Sequence, residues 1–431
     1  MNVWDSLVNY SRRAMRRNAS LFVSHVATLI GEPLFYFLGR RWQSKKANFF
    51  EAERVCVLRL DEIGDVVMTT PFLRELRRYL PHAWITLIVK PTVFNLVELC
   101  PYVNEVLTFD WRVLGRARRV RQFWRALQFA SRQLWQRRFD LAIIPRWDVD
   151  FHCAAFTAYF SGARWRVGYS EKVNDRKHHA NRGFDGMFTH VLVDLTLKHE
   201  VERNLSVIRY LFGEIAGNDL ELWVGGEDNT YAAHILKHNG EQDDRLIVVF
   251  GVGAGASKRM WSIANYTELA VWLVEVYRAR VLVLAGPGEE SLGECLRQCT
   301  GNVVTNLAGK TTLRQAVALL MGCQLYVGND SGQMHLTAAV GIPVVEISCH
   351  PKSGDVLHEN SPKRFGPWGV QSIILQPSEP RMPCVDCCIA DRPHCILGVT
   401  VEQAKSAVSE LLQHYKGQRV LGGIGGGHHN V

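Results

Sequence analysis

The 431-residue chain has no Gly-x-Gly-x-x-Gly run after its first apolar strand pattern, so it gives no direct support to dehydrogenase chemistry. It lacks a cysteine framework as well. Its 11 cysteines are scattered, most of them singly inside apolar segments such as those around Cys56, Cys153 and Cys323. That usage excludes a disulfide-stapled secreted module and points to a reducing, cytoplasmic setting. An uninterrupted membrane-spanning run is also missing. The nearest candidate, "LFVSHVATLIGEPLFYFLG" at 21 to 39, is interrupted by His25, Glu32 and Pro33, which predicts an amphipathic helix at a membrane surface rather than a span. Arg12, Arg13, Arg16 and Arg17 precede it, but no small-residue cleavage site follows, so no cleavable signal is read.

What is present fits a globular protein of about two or three domains, with 47% hydrophobic and 21% charged residues. The net charge of +8 is unevenly placed. Residues 1 to 50 carry eight Lys and Arg against Asp5 and Glu32, and residues 111 to 139 carry nine Arg and no acid, which leaves the remainder near −7. In the second stretch the arginines interleave with Trp111, Phe123, Trp124, Leu127, Leu134 and Trp135. Two readings fit: a face for anionic ligands or a membrane surface, and a solvated basic helix whose aromatic stripe packs inward. No nucleic-acid fold signature accompanies the charge, so nucleic acid is not the expected partner.

From residue 54 onward short apolar runs alternate with helical patterns. They are "VCVLRL", "WITLIV" and "LAIIP", then "RLIVVF", "VLVLA", "QLYVG" and "PVVEI". Alternation of this kind predicts parallel sheets flanked by helices. The Gly, Asn and Asp-rich "GNDLELWVGGEDNT" at 217 to 230 reads as a linker. The expected architecture is α/β, two Rossmann-like doubly wound domains facing a cleft, at 51–218 and 230–415. A basic segment at 1–50 precedes them and a flexible Gly/His tail at 416–431 follows.

Candidate site residues stand where strands turn into helices, since ligands of open α/β sheets bind at the carboxyl ends of strands. In "RLDEIGDVVMTTP", Gly64 and Asp65 occupy such a corner, where Asp65 is either a general base or an ordinary first-turn acid. In "VVFGVGAGASKRMWSIANYTELA", Lys258 and Arg259 lie on a glycine-rich loop suited to a diphosphate, and Ser262 caps the helix that begins near Ile263. In "LYVGNDSGQMHLTAAVGIPVVEI", Ser331 and Gly332 open a helix whose free amides suit phosphate, with Asp330 as the alternative N-cap. After the Gly-Pro-Gly turn of "VLVLAGPGEESL", Glu289 and Glu290 are ribose-hydroxyl candidates or first-turn acids. Together these corners describe a nucleotide diphosphate on the second domain, held without a metal because the cations and the helix end supply positive potential, with Asp65 as its opposing base.

These stretches resemble glycosyltransferase family nine, the ADP-heptose:lipopolysaccharide heptosyltransferases, over roughly residues 54 to 410. "VLRLDEIGDVVMTTPFLRELRRYLP", "HEVERNL" at 199 to 205, "GASKRMW" and "YVGNDSGQMHLTAAVGIPVV" carry the likeness. The resemblance implies a GT-B fold and inverting, metal-independent transfer of a heptose from an ADP-sugar to a phosphorylated, lipid-linked core saccharide, with no cofactor. It implies action in the cytoplasm, peripheral to the inner membrane surface. By the same resemblance Asp65 matches the general base, Arg259 the diphosphate-binding cation, and Asp330, Ser331, Gly332 and His335 the donor-binding run. The order Lys258, Arg259, Met260, Trp261, Ser262 departs from the family's usual one and leaves open which cation meets phosphate. The loop at 348 to 369 is longer than usual and leaves room for another sugar or acceptor.

One motif falls outside this scheme. "PCVDCCIADRPHCILG" at 383 to 398 places Cys384, Cys387, Cys388 and Cys395 near His394, as a zinc or iron–sulfur site would. With no second, distant C-x-x-C, the spacing favours a thiol-rich structural loop over a metal.

Overall fold

The computed structural model describes residues 21–31, 33, 35, 47–113, 118–238, 241–242 and 245–422. Arg12, Arg13, Arg16, Arg17, Glu32, Arg116 and the end of the tail from 423 lie outside these residues. The chain divides into two compact units, Met1–Asn218 and Asp219–Val431.

The first unit is built on six parallel strands: β1 (Arg54–Arg59), β2 (Trp84–Val89), β3 (Glu105–Thr108), β4 (Leu141–Ile144), β5 (Trp165–Tyr169) and β6 (His190–Leu192). Their order across the sheet is β3-β2-β1-β4-β5-β6, with Val55 beside Ile85 on one side and Leu141 on the other. The central strands are buried after their first residue or throughout, and mostly apolar on both faces, as strands covered by helices on both sides are. Residues 21–31 are helical and join this unit's core through Val23 and Ala27, packed with Tyr159 and Phe160. Gly31 lies so close to Tyr159 that a Cβ there would stand 2.3 Å from the ring. Phe22, Leu29 and Ile30 of this helix remain exposed. Among the described residues no helix is long and apolar enough to cross a membrane.

The arginine-rich stretch divides in the same way. Its helix α1 (Arg118–Phe129) buries Phe123 and Ala126 in the core and leaves Trp124 exposed. Arg119 turns inward, donating to the carbonyls of Asp150 and Ala180 at 3.3 Å each. The aromatic stripe is thus partly core and partly surface.

The second unit repeats the plan with strands β7 (Ile247–Gly251), β8 (Arg280–Leu284), β9 (Val304–Asn306), β10 (Leu325–Asn329), β11 (Val344–Ile347) and β12 (Ser372–Leu375). All are parallel, in the order β9-β8-β7-β10-β11-β12. In each unit the strand order therefore reverses between the first strand and the fourth. That switch point is where an open α/β sheet forms its binding crevice.

Candidate active site

In the first unit the switch point lies between β1 and β4, and the loops leaving those two strands supply its side chains. Asp65 sits in the short helix Ile63–Val67 directly after β1. Its Oδ2 accepts from the Glu62 amide at 3.2 Å, and its Oδ1 accepts from Arg59 Nη2 at 3.3 Å. Asp61, two residues beyond β1, is buried between two arginines and a histidine. Arg59 Nε lies 3.2 Å from it, His152 Nδ1 lies 2.9 Å away, and Arg146, just past β4, pairs with it closely. The two carboxyls titrate in opposite directions. Burial alone would raise Asp61, but Arg146 and Arg59 outweigh it and hold the group far below the usual carboxylate range. Burial raises Asp65, and the neighbouring charge of Asp61 adds to the rise against the pull of Arg59. One acid is locked as a counter-ion while the other is made a stronger base.

The corner is braced from behind by the segment that begins "HEVERNL". This segment forms the helix Glu200–Leu211, capped by His199. Asn204 Nδ2 donates to the Met68 carbonyl at 2.8 Å, while Thr69 Oγ1 donates to the Asp65 carbonyl at 2.7 Å. Arg203 stacks on Trp147 at 3.6 Å. Lys177, buried and pushed down to about 8 by desolvation, donates to the carbonyls of Trp147 and Tyr169. Sequence reasoning found Asp65 but missed Arg59, Asp61, Arg146 and His152. The signal for Arg146 was present: it follows "LAIIP", the strand beside β1 at the switch point.

In the second unit the corresponding loops leave β7 and β10. Arg259 Nη1 donates to Asp330 Oδ2 at 3.4 Å, and Asp330 is raised by burial against the opposing pull of Arg259. Lys258 turns elsewhere, its Nζ donating to the Cys388 carbonyl at 2.8 Å. Of the two cations, Arg259 is therefore the one beside the "NDSG" corner. The helix of this corner, Gly332–Ala339, opens on Ser331 as its N-cap, not on Asp330, and Ser331 makes no side-chain cap bond to it. Asp330 instead continues the strand end, its amide bonded to Ile347 O. His335 is buried within that helix.

Glu289 is the N-cap position of the helix Glu290–Cys299, and its oxygens accept from the amides of Gly286 at 2.8 Å and Ala254 at 3.0 Å. It ties the glycine-rich loop to the end of β8, and a Cβ at Gly253 would fall 2.0 Å from its Oε2. Glu290 is exposed and accepts from the Gly288 amide at 3.0 Å. Asn329, which the sequence reading passed over, does comparable work. Fully buried, it donates to Val252 O and accepts from the Trp261 amide at 2.9 Å and Tyr266 OH at 3.2 Å. The Ser262 cap forms as expected, accepting from the Asn265 amide at 3.1 Å.

Two doubly wound units, one presenting a partly buried carboxyl and the other an arginine beside an uncapped helix start, are the layout of a nucleotide-sugar glycosyltransferase. The description of glycosyltransferase family 9 (heptosyltransferase) matches residues 130–391, more than half of the chain, and the protein belongs to that family. It is similar to the lipopolysaccharide core heptosyltransferase OpsX of Haemophilus influenzae, 22% identical over 348 residues that cover 75% of this chain and 92% of the relative. Two solved structures share its fold. A family 9 glycosyl transferase from Veillonella parvula aligns with a TM-score of 0.67 at 20% identity, over 84% of this chain and 97% of the other. The ADP-heptose lps heptosyltransferase II of E. coli aligns with a TM-score of 0.61 at 19% identity, over 84% and 99%. The fold is thus GT-B.

Proposed function

We propose that this glycosyltransferase moves a heptose from ADP-heptose to a lipopolysaccharide core-type acceptor, with inversion and without a metal in the transfer step. The observation that carries the reading is Asp65: a partly buried carboxyl at the switch point, raised in basicity, held by Arg59 and the Glu62 amide. In the reaction Asp65 takes the proton of the acceptor hydroxyl as its oxygen attacks the anomeric carbon. The bond from that carbon to the diphosphate breaks, and ADP departs with the electron pair. Arg259 and the amides at Ser331 and Gly332 stabilise the charge on the departing diphosphate. Asp330 orients Arg259, while Glu289 and Asn329 hold the loop that carries it.

The acceptor in this reading is a phosphorylated, lipid-linked saccharide, and the enzyme works peripherally at the inner face of the cytoplasmic membrane. Exposed Phe22, Leu29 and Ile30 on the first helix, and exposed Trp124 on the helix that also carries exposed Arg118 and Arg121, support such a contact. Because Arg119 is committed inward, neutralising Arg118 and Arg121 together is the cleaner test; it should weaken binding to anionic liposomes, and unchanged binding removes the membrane part of the proposal. The transfer itself is tested by incubating the chain with ADP-heptose and a phosphorylated lipid A-type core acceptor in the presence of EDTA. ADP release with a product of inverted anomeric configuration by NMR is expected. Retained configuration, or no transfer with this donor while another nucleotide sugar reacts, would overturn it.

A further inference from the structure

The loop at 384 to 395 gathers what its spacing did not predict. The ligand atoms of Cys384, Cys388, His394 and Cys395 all lie within 4.8 Å of one another, with the three cysteines buried. Cys387, half of the apparent C-x-x-C, is not among them. His394 Nδ1 stands 3.6 Å from Cys384 Sγ and 3.4 Å from Cys395 Sγ. A tetrahedral ion with metal–sulfur bonds of about 2.3 Å and metal–nitrogen bonds of about 2.0–2.1 Å needs nitrogen–sulfur edges of roughly 3.6 Å and sulfur–sulfur edges of roughly 3.8 Å. The cluster already has the first and is within an ångström or so of the second. The Ile389 amide donates to Cys384 Sγ at 3.4 Å. An amide aimed at a sulfur is the kind of outer contact that orients a metal ligand.

We propose that Cys384, Cys388, His394 and Cys395 bind one divalent ion, zinc or ferrous iron, as a closed structural site. Binding releases the protons of the three thiols and leaves the centre with a single negative charge. Four protein ligands fill a tetrahedron, so no position stays open for substrate, and the site lies apart from the transfer chemistry. Its placement gives it a task. Lys258 Nζ, bonded to the Cys388 carbonyl, sits against the charged centre, and Trp261 Nε1 donates to Val399 O at 2.9 Å just beyond it. The ion fastens the cysteine loop to the segment that carries Arg259. Among the described residues the other cysteines form no comparable group.

The test is elemental analysis of the full chain, purified without chelator from cells grown with added zinc and, separately, with added iron. The expected result is about one equivalent of one of these metals per chain, and the two growth arms tell zinc from iron. Replacing the ion with cobalt should give the strong visible bands of tetrahedral thiolate coordination. Cys388→Ser should lose the metal, Cys387→Ser should keep it, and His394→Cys should also retain it. If Cys388→Ser fails to fold, the wild-type metal content and cobalt spectrum still decide. Less than about a tenth of an equivalent in both arms with no cobalt bands, or a disulfide within the cluster in reduced preparations, overturns the proposal. None of these readouts depends on glycosyl transfer, so the site and the donor reading stand or fall separately.

Discussion

The two units have the same strand order and the same switch point, yet they fill it with opposite chemistry. In the first, the loops after β1 and β4 surround a carboxyl with buried cations and leave one acid, Asp65, more basic than usual. In the second, the loops after β7 and β10 bring Arg259 to the start of a helix that its own cap residue leaves unbonded. The scaffold fixes where a ligand binds; the few residues on the corner loops decide whether that place takes a proton or holds a phosphate.

Substitutions that hit one corner and spare the other sharpen this contrast. The largest effect belongs to Asp65→Asn, which should lower turnover by about 10²–10⁴-fold while leaving calorimetric ADP affinity unchanged. Because burial disfavours the ionised form of Asp65, the same change should not lower the melting temperature at neutral pH. Arg259→Met should do the reverse, weakening ADP binding by roughly 10–100-fold through loss of a charged hydrogen-bond donor. If both variants lose ADP affinity equally, the division of labour fails.

Asp61→Asn addresses the first corner through stability and pH together. It leaves Arg59 and Arg146 without their buried counter-ion, and denaturant titration should show a loss of about 3–5 kcal/mol. It also removes a charge that raises Asp65 and releases two cations that lower it. The acidic limb of kcat/KM, where activity falls as Asp65 takes up a proton, should therefore move to lower pH. A limb that stays in place would mean that Asp65 is not the titrating base. Smallest is Lys258→Met, expected to change ADP affinity only a few-fold, because its ammonium is bonded to the cysteine loop rather than to the Asp330 corner.

The sheet cores were legible in the sequence because buried parallel strands read as continuous apolar runs, and all seven runs from "VCVLRL" to "PVVEI" form strands. The strands that went unread lie toward the sheet edges. Glu105–Thr108 and Ser372–Leu375 are only partly buried, and Trp165–Tyr169, though buried, is broken by Arg166 and Gly168. At the sites, residues on glycine-marked corners were found, while Arg59, Arg146 and Asn329 were not. Arg59 and Asn329 are strand-end residues whose roles arise from pairing with other loops, which local sequence does not display. The cysteine loop shows the same limit: the sequence offered Cys384, Cys387, Cys388 and Cys395 with His394 adjacent, whereas the fold brings Cys384, Cys388, His394 and Cys395 together and leaves Cys387 outside the group.

The most direct test of the account is ADP release from ADP-heptose by the wild type and Asp65→Asn side by side, with and without a phosphorylated lipid A-type core acceptor. The account predicts acceptor-dependent release by the wild type, a fall of orders of magnitude in the variant, and equal ADP binding by both. Acceptor-dependent release by Asp65→Asn at the wild-type rate would contradict it.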